Sequence, residues 1–162
     1  MENLQNYFNI NPSFKENYIK NNNLLDNSVS AEKLYDSIYS DADIILSRLC
    51  IPPSKCGYMY WKDAVFVYIL MEKTRISICN DIYPILAKKH NKTAMSVERA
   101  MRLCFENALY YANNNDRDPD FVCDYFKDSL KYPRNSEILA KMVELVVSKS
   151  FQKNKVKFFS LV

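Results

Sequence analysis

Residues 82–108 decide the fold: they read IYPILAKKHNKTAMSVERAMRLCFENA, with apolar residues returning every three or four positions. This spacing predicts two amphipathic helices joined by a short polar turn. The apolar stripe of the second helix, expected over 95–108, consists of Val97, Met101, Cys104 and Ala108, flanked by Ala100 and Phe105. The stripe is wide enough to pack against a core, which leaves the opposite face for solvent or a partner.

The polar turn has residues suited to a close helix-to-helix connection. Asn91 tolerates the left-handed backbone conformation that a sharp helix exit requires. Thr93 can accept a hydrogen bond from the first turn of the next helix and so cap it. Two short helices with such a turn form a helix-turn-helix, the unit that many proteins use to read DNA.

The outward face of the second helix has Glu98, Arg99, Arg102 and Glu106. An arginine fork can bind O6 and N7 of guanine, and a carboxylate can accept from N4 of cytosine. Residues 88–102 contain five Lys/Arg and one carboxylate, a dense basic cluster suited to phosphates. The same pattern also occurs in helical proteins whose basic face is merely solvated, so it leaves both interpretations open.

Four blocks of sequence carry a resemblance to a known family. They are IPPSKCGYMYWKDAV at 51–65, IYPILAKKHNKT at 82–93, VERAMR at 97–102 and PRNSEILAKMV at 133–143. Over about residues 46–146 the chain resembles the C-terminal DNA-binding domain of the stage-zero sporulation protein A family. The family has Val-Glu-Arg-Ala-Ile-Arg on its recognition helix, where this chain has VERAMR.

The resemblance implies contacts to bases by Glu98, Arg99 and Arg102. It implies contacts to the DNA backbone by the neighbouring basic and hydroxyl residues, which are Lys88, Lys89, Lys92, Thr93 and Ser96. The chain also departs from the family pattern, with Met95 and Ser96 in place of Ser-Arg and Leu103 in place of His. These departures leave the target sequence open.

The resulting hypothesis is a sequence-specific, double-stranded DNA-binding transcription regulator that docks helix 95–108 in the major groove. Members of the family normally have a phosphorylatable receiver domain, and the residues before the match are too few for one. A regulator without a receiver is therefore expected, with a homodimer on tandem sites as one assembly. The alternatives are a non-catalytic protein-interaction module that binds a full-length family member or RNA polymerase, and a plasmid or phage replication or partition protein.

Composition favours an all-α, compact bundle of about six helices. The chain has 162 residues, 48% of them hydrophobic, and one glycine. Helices are expected over 31–49, 59–73, 119–129 and 136–148 in addition to the two reading helices. The expected organisation is an N-terminal segment at 1–29, partly ordered or mediating interactions, then a helical DNA-binding domain at 30–150 and a C-terminal tail at 151–162.

Other features limit the function classes. The net charge of +3 is modest, whereas residues 51–115 contain nine Lys/Arg and five Asp/Glu. Five cysteines without a C-x-x-C pair argue against a disulfide framework and a zinc site, and they are expected to be reduced and mostly buried. His90, the one histidine, lies at an inward-leaning position and is expected to pack. We therefore expect no enzyme activity, metal or cofactor, and a cytoplasmic protein with no secretory signal or membrane span.

Overall fold

The computed structural model describes residues 12–22, 30–49, 51–71, 73, 75–114 and 133–148, with side chains described for all of these but 12–15 and 111–114. The fold is all-α, which confirms the prediction. Its α-helices are α1 (Pro12–Asn21), α2 (Ala31–Arg48), α3 (Cys56–Leu70), α4 (Tyr83–His90), α5 (Ala94–Asn114) and α6 (Asn135–Ser148), and one π-helical turn, Ile78–Ile82, precedes α4. The helix expected over 119–129 and the tail at 151–162 lie outside the described residues.

Helix α3 forms the centre of the bundle and contacts each of the other five helices named above. It is apolar on nearly all sides, as expected of a helix that is surrounded by others. Its indole, on Trp61, is fully buried and donates through Nε1 to the carbonyl of Met101 on α5, at 3.1 Å. This hydrogen bond and the surrounding packing fix α5 against the core.

The first turn of α3 lies directly against α5 at Gly57, the one glycine of the chain. A Cβ atom at this position would lie 2.4 Å from the carbonyl oxygen of Ala100 and 2.7 Å from Cβ of Cys104. Only glycine allows the two backbones to approach this closely. Helix α3 accordingly begins at Cys56, three residues earlier than the sequence predicts, and ends at Leu70.

The N-terminal helix α1 docks on the core through Tyr18, which is fully buried. The Tyr18 hydroxyl donates to Oδ2 of Asp41 at 2.5 Å and lies 2.7 Å from Oγ of Ser37, both on α2. Burial, together with the Asp41 carboxylate, raises the pKa of Tyr18 above its usual value. The described part of the 1–29 segment is thus integrated into the bundle at this tyrosine.

Two of the described cysteines, Cys56 and Cys79, are exposed, so the expectation of mostly buried thiols is wrong for the cysteines described. Cys104 is buried, and burial raises the pKa of its thiol to about 11.

Within the described part of the chain, none of the helices combines the length and the apolar character needed to cross a bilayer.

Candidate nucleic-acid interface

The turn between α4 and α5 closes as the sequence predicts. Asn91 adopts the left-handed conformation, with φ 52° and ψ 50°. The Asn91 amide donates to the carbonyl of Lys88 at 3.3 Å, and the Lys92 amide donates to the carbonyl of Ala87 at 2.9 Å. These two bonds satisfy the last carbonyls of α4 and turn the chain sharply into α5.

The start of α5 is capped by Thr93, which confirms the predicted role. Its Oγ1 accepts from the backbone amide of Ser96 at 3.1 Å, and the two hydroxyls lie 2.8 Å apart. Both residues are exposed, as is Lys92 before them. The first turn of α5 therefore presents hydroxyl groups and a cation at the positive end of a 21-residue helix, where phosphate oxygens are favoured.

Helix α5 separates its packing face from its solvent face. The buried residues are Val97, Met101, Cys104, Phe105 and Ala108, as the sequence predicts. The exposed residues of the first four turns are Met95, Ser96, Arg99, Arg102, Leu103 and Asn107. At about 100° per residue, Arg99 lies near the middle of the exposed arc. The packing against α3 thus holds α5 with Arg99 and Arg102 outward.

The two arginines of this face have different surroundings. Nη1 of Arg102 lies 2.8 Å from Oε1 of Glu98, and its Nε lies 4.0 Å from Oε1 of Glu106. Arg99 is exposed, and among the residues that the structure describes none forms an ion pair with it. Glu98 is thus the partner of Arg102, and base contacts are predicted for both residues. Arg99 is held by no carboxylate of this face.

An amide side chain at the start of α6 joins both helices of the reading unit. Nδ2 of Asn135 donates to the Tyr83 hydroxyl on α4 at 2.9 Å and to the carbonyl of Glu98 on α5 at 3.2 Å. Burial raises the pKa of Tyr83, so this hydroxyl stays protonated. We refer to Asn135 as the α6 brace. The local sequence does not predict these contacts, because they join positions that are 52 and 37 residues apart.

The largest feature that the sequence did not predict is a buried carboxylate beneath α4. Asp63 of α3 is 1% exposed, and its Oδ1 accepts from Nζ of Lys89 at 2.6 Å and from the Tyr39 hydroxyl. Its Oδ2 lies 2.5 Å from Nε2 of His90. Burial first, and then the Asp63 charge, raise the pKa of Tyr39. We call these four residues the Asp63 cluster.

Two residues that the sequence analysis singled out, Lys89 and His90, belong to the Asp63 cluster. The His90 ring packs against Tyr60, with the ring centroids 4.7 Å apart, and it also pairs with Asp63. Lys89, for which a phosphate contact is predicted, has 41% of its side chain exposed but is already bound by a carboxylate of its own protein. Its contact to phosphate stays a prediction, and in this structure the ammonium group also holds α4 on the core.

A comparison with known protein families adds one finding to this geometry. The family model described as "Sporulation initiation factor Spo0A C terminal" matches residues 43–146. The match covers well over half of the chain and includes α3, α4 and α5 together with most of α6. It therefore contains the whole helix-turn-helix, the α6 brace and three members of the Asp63 cluster.

Proposed function

The chain belongs to the family of the Spo0A C-terminal domain, which consists of DNA-binding transcription regulators, and we propose that it regulates transcription by reading double-stranded DNA with α5 in the major groove. The observation that carries the proposal is the orientation of α5. Its apolar stripe is buried on α3, and Arg99 stands in the middle of the exposed arc at the N-terminal half of the helix. In helix-turn-helix proteins the N-terminal residues of the second helix contact base edges.

In this proposal the base contacts are made by Glu98, Arg99 and Arg102. Arg99 offers its fork to guanine with no carboxylate of this face to displace. Arg102 is paired with Glu98 in the free protein. On the DNA the pair would separate, with the guanidinium on guanine and the carboxylate on the N4 amine of a neighbouring cytosine.

The phosphate contacts are proposed for the turn and the first residues of α5. Lys92, Thr93 and Ser96 surround the N-terminus of α5, so their contacts would add to the attraction of the helix dipole. Lys88 is exposed at the end of α4 and would extend this contact along the DNA backbone. Lys89 would contribute less, because Asp63 already offsets its charge.

The first experiment is a selection of bound sequences from a pool of random duplexes. Enrichment of a defined site that contains G·C pairs would support the proposal. Enrichment of none would overturn it and favour the alternative of a protein-interaction module. A site that consists of two tandem copies would indicate that two molecules bind together.

The selected duplex then allows the two classes of contact to be separated. Arg99→Ala and Arg102→Ala should each lose about 1 to 3 kcal/mol of specific binding and relax the preference at one position. Lys92→Ala should weaken binding to all duplexes and reduce the log-log salt slope by about one. Lys33→Ala, which removes an exposed cation at the first turn of α2, is the matched control and should change neither quantity.

A further inference from the structure

The first turn of α5 exposes an apolar side chain that the core does not use. Met95 is 79% exposed, the highest value among the large hydrophobic residues that the structure describes. Its neighbour Ala94 packs partly against the core, and Thr93 supplies the helix cap. Neither packing nor capping therefore requires a methionine at this position.

The position of Met95 relates it to the two arginines of the reading face. At about 100° per residue, it lies about 40° from Arg99 and about 20° from Arg102 around the helix. Along the axis it precedes Arg99 by about 6 Å, at about 1.5 Å per residue, a distance close to two base-pair steps. Met95 thus belongs to the same exposed face and lies at its N-terminal end.

We propose that Met95 is a specificity-determining residue whose side chain contacts the C5-methyl group of a thymine about two base-pair steps from the G·C pair that Arg99 reads. The inference rests on the proposed function. Thymine offers the one apolar group on the major-groove edges of the four bases. A methionine side chain has no hydrogen-bond donor and is flexible enough to fit its thioether against such a methyl group.

Leu103 is the competing candidate on this helix. It is 44% exposed and lies eight residues, about 12 Å, further along α5. Because base contacts in helix-turn-helix proteins concentrate at the N-terminal part of the reading helix, Met95 is the better placed of the two. Met59, on α3, is 42% exposed and provides a methionine outside the reading helix.

The test replaces each thymine of the selected duplex in turn by deoxyuridine, which lacks only the methyl group. At one thymine the replacement should weaken the binding of the wild-type protein about fourfold, the change in affinity expected when one buried methyl-sized group is removed. Met95→Ala should bind the thymine duplex about fourfold more weakly than the wild type does. Replacing that thymine by deoxyuridine should not weaken the binding of Met95→Ala further. Leu103→Ala and Met59→Ala should keep the full fourfold sensitivity. Because Met95 is exposed and alanine favours helix, Met95→Ala should fold normally.

Several results would overturn the inference. They are equal sensitivity of Met95→Ala and wild type at every thymine, loss of the sensitivity in Leu103→Ala instead, or a selected site without thymine. In each of these cases the selected duplex is still bound and Arg99→Ala still weakens it, so the proposed function survives. If the wild type selects no duplex, both proposals fail together.

Discussion

Replacing Asp63 by Asn tests whether the buried carboxylate holds the reading unit in place. The carboxylate is 1% exposed and accepts from three groups on two other helices, namely Tyr39, Lys89 and His90. Asparagine preserves the shape, but it removes the charge and leaves a single acceptor oxygen. The NH2 group of the amide would then face a hydrogen-bond donor, so at least one of the three groups would lose its acceptor.

The expected cost follows from the burial of the partners. Breaking a buried ion pair by removing one member costs about 3 to 5 kcal/mol. Because 41% of the Lys89 side chain and 23% of the His90 side chain are exposed, both can turn partly toward water. We therefore expect Asp63→Asn to lower the free energy of unfolding by about 3 kcal/mol. Lys89→Met should cost about 1 kcal/mol, because Asp63 keeps two of its three donors.

Urea unfolding followed by circular dichroism measures both values, with Lys92→Met as the matched lysine control, which should leave the stability within about 0.5 kcal/mol of the wild type. The double variant of Asp63 and Lys89 should show a coupling of about 1 kcal/mol or more. Additive effects, or an Asp63→Asn protein as stable as the wild type, would refute the reasoning. In the folded fraction of Asp63→Asn, release of Lys89 should steepen the salt slope of DNA binding by up to about one.

Three further predictions concern the other contacts that position the helices. Gly57→Ala should lower the stability by about 1 to 3 kcal/mol despite better helix propensity, because its Cβ would meet the Ala100 carbonyl at 2.4 Å; a melting temperature at or above that of the wild type would contradict this. Asn135→Ala should remove the brace to Tyr83, cost about 1 to 2 kcal/mol and weaken duplex binding, whereas unchanged thermal unfolding would argue against a brace. Burial raises the pKa of Tyr39 above 10.0 in the folded state. The stability that the neutral Tyr39 hydroxyl contributes is therefore fully present below about pH 10, and the urea midpoint should fall as pH rises further. A urea midpoint that is flat from about pH 8 to about pH 11, or equally steep in Tyr39→Phe, would be inconsistent with this.

The reading helix and its turn could be predicted from the sequence because their determinants are local. The buried stripe of α5 repeats every three or four residues, and a period of this kind specifies one face of a helix. The conformation of Asn91 and the cap at Thr93 likewise depend on side chains within a few residues of the backbone they affect. Neither feature requires knowledge of the tertiary fold.

The supports beneath the reading unit could not be predicted in the same way, because they join distant positions. Asp63 and Lys89 are separated by 26 residues, and Tyr83 and Asn135 by 52. A signal did exist for the first of these contacts. Asp63 interrupts a nearly continuous apolar helix, and a carboxylate on such a helix has to find buried partners. The early start of α3 could not be predicted either, because Gly57 is required there by close packing against α5, which the local sequence does not show.

The partners of the basic residues also change what the positive cluster implies for binding. A count from the sequence treats Lys89 and Arg102 as equal to Arg99, yet each of the first two already has a carboxylate partner. Either cation must give up that partner, or share it, before it gains from DNA. A phosphate offers an anion in exchange for the carboxylate that is given up, whereas a guanine offers two neutral acceptors in a fixed geometry to an arginine fork. Because Arg102 has to give up Glu98 for a neutral base edge and Arg99 gives up no carboxylate of this face, Arg99 should contribute more than Arg102 to the discrimination between sites.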